Sequence, residues 1–164
     1  MPKPSDIKLA PASDQYRLSI VVDTREQRPW HFPEDLATVK RGTLDYGDYA
    51  LEGDHFAIER KSLDDFAGTV SSGWERFCRE LDRMQIAPAR VVFVEATLGD
   101  IWEQRHNHKN LSAKFLFSRI ADLQLMGIGV MMCDNPVFAA AMAYRFFRKR
   151  MAHLTGAPMG AAHG

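Results

Sequence analysis

Several apolar runs along the chain have the composition of buried β-strands. Residues 17–23 (RLSIVVD) and 90–96 (RVVFVEA) are rich in β-branched residues, and a shorter run, GIGVMMCD, occupies 127–134. Continuous apolar runs of this kind indicate strands that are covered on both faces. A further short strand is possible around VKRGTL. These runs predict the strands of one buried sheet.

Between the strands, apolar residues recur at helical spacing. This pattern predicts a short helix over SLDDFAGTV, a longer one over SSGWERFCRELDRM, and helices over about 111–126 and 136–151. Ser62 and Asp65 are spaced as a capping box at the first of these helices. Strands that alternate with helices after a β-rich first half predict an α/β protein with a central mixed β-sheet flanked by helices.

The stretch GDYALEGDHFAIERK, residues 47–61, has the pattern of a β-hairpin. Gly53 and Asp54 suit a two-residue turn because Gly tolerates a positive φ. That turn would pair Tyr49 with Ile58 and would set Asp48 opposite Glu59. Since side chains alternate between the two faces of a strand, Lys61 falls on the same face as the two carboxylates.

Two facing carboxylates repel each other unless a positive charge lies between them. Mg²⁺ and Mn²⁺ are hard cations that take oxygen ligands, commonly one or two carboxylates with water and a substrate phosphate. Asp48 and Glu59 therefore predict a Mg²⁺ or Mn²⁺ site, and Lys61 could orient a water molecule beside it.

Three blocks in this order, VVDTRE (21–26), GDY (47–49) and ERKSLDD (59–65), closely resemble the nuclease domain of the XPF family of structure-specific DNA endonucleases, within the PD-(D/E)xK nucleases. The resemblance implies a restriction-endonuclease-like three-layer fold. It also implies Asp23 as a third metal ligand with Asp48 and Glu59. The catalytic set that it implies is Asp23, Arg25, Glu26, Asp48, Glu59, Arg60, Lys61 and Asp65.

Each of these residues also has a purely structural interpretation. Asp23 could merely end a buried strand, and Arg25 could bridge Asp23 and Glu26 instead of contacting a phosphate. The side chain of Arg60 points away from the site face by strand alternation. Asp65 could act as a helix cap without taking part in chemistry.

Charge and composition limit the kinds of partner. The chain of 164 residues has 21 Lys and Arg and 21 Asp and Glu, so its net charge is zero and any basic surface must be local. Candidate DNA-backbone contacts lie on the long helix and in the polar segment after residue 103, although Glu75 and Glu80 could neutralise two of them. These candidates are Arg76, Arg79, Arg83, Arg105 and Lys109.

The sequence predicts one domain over 16–152, with flexible tails over 1–15 and 153–164. We expect a cytosolic protein, because Cys78 and Cys133 fit buried thiols better than a disulfide bridge. We expect no membrane association, because no apolar run approaches the ~20 residues of a membrane span. No helix-hairpin-helix or helicase region is recognisable. Dimerisation and DNA affinity therefore stay open, and a homodimer or a partner protein could supply the affinity.

Taken together, the residues and the resemblance predict a Mg²⁺- or Mn²⁺-dependent DNA endonuclease that acts on branched or flapped DNA in repair or recombination. Two alternatives stay open. One is a non-cleaving module that binds DNA or docks onto a partner, and the other is a different PD-(D/E)xK enzyme such as a junction resolvase.

Overall fold

The structure is a computed structural model that describes residues 17–83 and 90–156. The described elements follow in chain order: β1 Leu18–Asp23, β2 Ala37–Gly42, β3 Tyr49–Leu51, β4 Ala57–Ser62, α1 Leu63–Val70, α2 Trp74–Arg83, β5 Arg90–Glu95, α3 Leu98–Trp102, α4 Ala113–Leu125, β6 Gly129–Met132 and α5 Pro136–Thr155. The predicted tail over 1–15 lies outside the described residues.

The described strands form one six-stranded sheet in the order β2-β1-β3-β4-β5-β6. β3 runs antiparallel to both β1 and β4, whereas the β1–β2, β4–β5 and β5–β6 pairs are parallel. The predicted mixed sheet is therefore confirmed. Strands β1, β4 and β5 run in the same direction, so their carboxyl ends lie at the same end of the sheet.

Two apolar layers cover the two faces of the sheet. On one face, α5 contributes Ala139, Tyr144 and Phe147 to a cluster with residues of β1, β3 and β5. On the other face, α1, α2, α3 and α4 pack over β5 and contribute side chains that include Phe66 and Leu116. Burying both faces explains why the strands read as continuous apolar runs, and the three predicted layers are confirmed.

The hairpin has the predicted register but a different turn. Tyr49 pairs with Ile58 and Ala50 with Ala57. However, the amide of Asp54 donates to the carbonyl oxygen of Leu51 at 3.1 Å, so Glu52 and Gly53 are the central residues of the turn. The predicted turn at Gly53 and Asp54 is wrong, because Gly53, with a φ of +79°, is the second central residue of the turn and not the first. Arg150 of α5 holds the Asp54 carboxylate through two hydrogen bonds of 2.7 and 2.9 Å.

Gly47 permits the close packing of β3 against β4. Its φ of +72° favours glycine, and a Cβ atom there would lie 2.8 Å from the Cβ atom of Ala57. Any larger residue would push the two strands apart just before Asp48.

Other parts of the chain depart from the sequence pattern in smaller ways. The segment after β5 contains the helix α3, which the polar composition does not reveal. The last helix continues to Thr155, past the predicted domain end at 152. The loop between β1 and β2 contributes Trp30 and Phe32 to the core, although its composition is that of a surface loop. Among the described residues, no helix is long and apolar enough to cross a membrane.

Candidate active site

Three carboxylate-bearing positions lie side by side across neighbouring strands. The amide of Asp23, at the end of β1, donates to the carbonyl oxygen of Asp48 at 2.9 Å. The amide of Asp48 in turn donates to the carbonyl oxygen of Ile58, the residue before Glu59, at 2.8 Å, and the charge of Glu59 acts on the Asp48 carboxyl. The sheet thus brings together, at one edge, residues that are 36 positions apart in the sequence, as the resemblance implies.

Asp23 is buried, with 1% of its surface exposed, and its carboxylate is fully hydrogen bonded. Arg25 donates three of the four bonds, from its amide, Nε and Nη2, and Leu44 donates its amide to Oδ2 at 2.8 Å. The Arg25 side chain and these two amides hold the pKa of Asp23 well below its usual value, although burial opposes them. In this structure Asp23 binds Arg25.

Glu59 and Lys61 point to the same face and form an ion pair. Lys61 Nζ lies 2.9 Å from Glu59 Oε1, and both side chains are mostly buried. The ammonium also lies 5.7 Å from the ring centre of Phe77 in α2. The predicted proximity of these two residues is therefore present in the fold.

Asp48 differs from its neighbours because no ion pair joins it to a cationic side chain within the described residues. Its Oδ2 atom accepts a hydrogen bond of 2.7 Å from the backbone amide of Arg60. Burial and the negative charge of Glu59, with a smaller contribution from Glu26, raise the pKa of the Asp48 carboxyl to about 7. Asp48 is therefore the candidate ligand whose negative charge is not balanced by a cationic side chain in the described structure.

Arg60 lies on the opposite face from Glu59 and Lys61, as strand alternation predicts. Its guanidinium group binds Glu95 at the end of β5 through two hydrogen bonds of 2.8 and 3.1 Å, and it lies 3.4 Å from a carboxylate oxygen of Glu26. It also donates to the backbone carbonyl of Arg28. Arg60 therefore ties the chain that leaves β1 to the ends of β4 and β5.

The acidic residues at the start of α1 have structural contacts. Ser62 caps the helix by accepting a hydrogen bond from the Asp65 amide at 3.1 Å, and its hydroxyl donates to the Asp65 carboxylate at 2.6 Å. Asp64 accepts from the amide and the side chain of Asn107. Ser62 is therefore the N-cap of α1, and the Asp65 carboxylate contacts the hydroxyl of this cap residue. The catalytic role of Asp65 stays a prediction.

Of the predicted DNA contacts, three are in ion pairs. Arg76 pairs with Glu80 at 3.7 Å and Arg79 with Glu75 at 4.0 Å, in well-exposed positions on α2. Arg105 contacts Asp100 at 3.0 Å and also Glu103. Lys109 is exposed, and the side chain of Arg83 lies outside the described part of the structure. The predicted role of all five in DNA binding stays a prediction.

We tested whether the donor set fits a divalent metal ion. Within residues 17–83 and 90–156, no group of three or more carboxylate, histidine or cysteine side chains is arranged to hold an ion. Asp23, Asp48 and Glu59 are thus not preassembled as three ligands, because Arg25 occupies Asp23. The oxygen donors of Asp48 and Glu59, and the uncompensated charge at Asp48, do fit a hard cation.

Sequence reasoning missed Glu95 and Trp30. The indole nitrogen of Trp30 donates to Glu95 at 2.6 Å, and its ring stacks on Tyr49 with centres 4.3 Å apart. Glu95 ends a buried strand just as Asp23 does, and that shared position could have identified it. No comparable sequence feature identifies Trp30, because the composition of its loop does not predict that the loop is buried.

The sheet topology and the row of carboxylates define an α/β protein with a nuclease-like fold. The sequence model of the ERCC4 domain matches residues 22–146, which cover most of the described chain. This chain belongs to the ERCC4 domain family. The match begins near the end of β1 and includes the other five described strands and all the candidate site residues.

Solved structures give a consistent result. The chain is similar to XPF from Aeropyrum pernix, with 27% identity and a TM-score of 0.65, over 84% of this chain and 67% of that one. It is also similar to XPF from Aeropyrum pernix in complex with DNA, with 25% identity and a TM-score of 0.63, over 89% of this chain and 69% of that one. No curated protein sequence gives a significant match.

Proposed function

We propose that this protein is a metal-dependent DNA endonuclease that hydrolyses phosphodiester bonds in branched or flapped DNA. The observation that carries the proposal is the uncompensated carboxyl of Asp48, which lies among three charge pairs: Asp23 with Arg25, Glu26 with Arg60, and Glu59 with Lys61. The ERCC4 domain family and the similarity to a DNA-bound XPF structure support DNA as the substrate.

Asp48 and Glu59 would hold Mg²⁺ or Mn²⁺, and Asp23 would join them as a ligand once Arg25 leaves its carboxylate. A bound ion would supply positive charge to offset the charge that develops on the phosphoryl group. Lys61 would orient the attacking water, because its ammonium is a compact charge held in place by Glu59. Arg25, whose side chain is 70% exposed, would bind the phosphate.

Glu26 and Arg60 would have a positioning role in the site. Arg60 holds Glu26 at 3.4 Å and fixes the backbone that follows β1. This arrangement keeps the negative charge of Glu26 close enough to Asp48 to contribute to its raised pKa. A site held in this way would favour cation binding before the substrate arrives.

The test is a cleavage assay on flap, fork, four-way junction and linear duplex DNA with Mg²⁺ or Mn²⁺. The wild-type protein should cut branched substrates internally, and Lys61→Ala should not, although both should bind the DNA. Absence of product on every substrate, with binding retained, would refute the proposed activity.

A second candidate is a non-cleaving DNA-binding module. The observation that favours it is the hydrogen-bonded state of Asp23, whose four bonds leave no ready position for a metal. Binding without cleavage in the same assay would support this candidate. Symmetric cutting of the four-way junction would instead indicate a resolvase.

A further inference from the structure

The turn that follows β1 carries Asp23, Arg25 and Glu26, and a side chain of the neighbouring strand β2 holds its backbone. Arg41 of β2 donates from one nitrogen, Nη2, to two carbonyl oxygens of this turn, that of Thr24 at 3.1 Å and that of Glu26 at 2.7 Å. The two acceptors flank Arg25 in the sequence. Arg41 thus fixes the backbone on both sides of the residue that must move if Asp23 is to become a metal ligand.

Other backbone contacts restrain the same turn. The amide of Thr24 donates to the carbonyl oxygen of Gly42 at 3.0 Å, and the amide of Glu26 donates to the carbonyl oxygen of Asp23 at 3.1 Å. With the two bonds from Arg41, both the amide and the carbonyl of Thr24 and of Glu26 have partners. The backbone of the turn therefore has little freedom while Arg41 is in place.

The side chain of Arg25, unlike its backbone, is largely open to solvent. It is 70% exposed, and it contacts the Asp23 carboxylate and the carbonyl oxygen of Leu44 at 3.0 Å. The amide of Arg25 also donates to Asp23, to Oδ1 at 2.8 Å, but from within the fixed turn. Rotation about the side-chain bonds of Arg25 can therefore remove the guanidinium group from Asp23 and leave the amide in place.

This arrangement would preserve the orientation of Asp23 after the guanidinium group of Arg25 has left. The amides of Arg25 and Leu44 would each remain on one carboxylate oxygen, Oδ1 and Oδ2 respectively, at 2.8 Å. Without Arg41, the turn could follow the departing side chain, and the Arg25 amide would move with it. Functional groups need to be held within about 0.5 Å of their productive positions by the residues around them.

We propose that Arg41 is a positioning residue, which fixes the backbone of residues 24–26 so that Arg25 can exchange Asp23 for the substrate phosphate by a side-chain movement alone. This inference rests on the proposed nuclease function. Arg41 itself would touch neither the phosphate nor the metal ion. Its exposed guanidinium group forms no ion pair with a carboxylate in the described part of the chain, so direct contact with a DNA phosphate is the alternative that the test must separate.

The test compares Arg41→Met with Lys40→Met in steady-state cleavage of branched DNA with Mn²⁺. Both variants remove one positive charge from an exposed position on β2, but Lys40 binds Glu52 at 2.7 Å instead of the turn. Arg41→Met should lower kcat about tenfold to 100-fold, because a misplacement of roughly 1 Å can have an effect of this size. The KM for DNA should stay at the wild-type value, since no contact with the substrate is removed. Lys40→Met should keep the wild-type kcat and KM.

A second measurement does not depend on cleavage. In the metal-free protein, amide hydrogen exchange at Arg25 and Glu26 should become about tenfold or more faster in Arg41→Met, because the turn loses hydrogen bonds from a charged donor. Amides in the middle of β1 should exchange at the wild-type rate, which separates a local effect from a loss of global stability. Lys40→Met should leave the exchange of the turn unchanged.

The inference is wrong if either kcat or the exchange of the turn is unchanged in Arg41→Met. It is also wrong if KM rises at the wild-type kcat and the slope of log K against log salt falls by about 1, as expected for the loss of one phosphate contact. Each of these results could occur while the wild-type protein cleaves branched DNA, and the proposed function would then stand. A wild-type protein that cuts no DNA would remove both.

Discussion

The guanidinium group of Arg25 lies along both oxygens of the Asp23 carboxylate, with Nε 2.7 Å from Oδ1 and Nη2 3.1 Å from Oδ2. Asp23 is buried and Arg25 is largely exposed, so a surface cation compensates a buried charge. The same two residues are candidates for metal and phosphate binding. Any role of Asp23 as a ligand therefore requires Arg25 to move.

Arg25→Ala should lower the free energy of unfolding at pH 7, because the buried Asp23 carboxylate then keeps only two backbone donors. The native pKa of Asp23 is lowered, so its contribution is present above the unfolded-state pKa and is lost as the pH falls below about 4. The difference in unfolding free energy between the wild-type protein and Arg25→Ala should therefore become smaller in acid. Urea unfolding across this pH range measures it, and the exposed Arg76→Ala should change stability by less than about 0.5 kcal/mol.

Asp48→Asn should stabilise the metal-free protein at neutral pH. The native pKa of Asp48 is raised to about 7, so the folded state binds the proton more tightly than the unfolded state. Wild-type stability should then decrease as the pH rises from about 4 to 7, and the variant should lack this decrease and gain about 1–3 kcal/mol at pH 8. Asp23→Asn should have the opposite effect on the free energy of unfolding and should destabilise the protein. If the stability of Asp48→Asn and of the wild-type protein depended on pH in the same way, the raised pKa of Asp48 would be contradicted.

Mn²⁺ should raise the melting temperature of the wild-type protein, and chelation should reverse the increase. At 100 times the Kd, a ligand that binds only the native state adds about 2.7 kcal/mol. Asp48→Asn should lose this increase together with cleavage, because the ion loses its principal partner. Glu52→Gln is the control, since Glu52 pairs with Lys40 and belongs to none of the candidate site sets. An equal Mn²⁺ shift in Asp48→Asn would place the ion elsewhere.

Glu95→Gln should cost about 2 kcal/mol or more, because it leaves Glu26, at 3.4 Å, as the anionic partner of the mostly buried guanidinium group of Arg60. The indole of Trp30 would also lose a charged acceptor, so its fluorescence should change in the folded protein. Glu52→Gln breaks the half-exposed pair with Lys40 and should reduce stability much less than Glu95→Gln does. Similar losses in both variants would argue against Arg60 as the centre of a buried network.

Gly47→Ala should destabilise the protein by about 3 kcal/mol, since it combines a left-handed backbone with a Cβ atom 2.8 Å from that of Ala57. Gly53→Ala has a similar φ, +79°, but nothing lies near the added atom, so about 1 kcal/mol is expected. Denaturant midpoints measure both. Equal losses would mean that β3 and β4 separate easily at this point.

The sequence by itself determined the strands, most helices and the hairpin register. Apolar runs and alternation report burial directly, and a slip of one residue would have exposed Tyr49 and Ile58. The same alternation placed Lys61 with Glu59 and sent Arg60 to the other face. The three motif blocks were sufficient to indicate the family that the ERCC4 domain match shows.

Only the tertiary structure decided how charge is distributed among these residues. Asp54, which follows the hairpin turn, binds Arg150, which is 96 residues away in the sequence. Arg60 binds Glu95, 35 residues away, and Asp48 has no cationic side-chain partner within the described residues. The contact between Asp23 and Arg25, two residues apart, is one that the sequence already suggested. Local sequence patterns specify the backbone conformation and the face of the sheet or helix on which each side chain lies. Which distant charges form ion pairs depends on distances in the folded chain, and the spacing of residues along the sequence does not determine these distances.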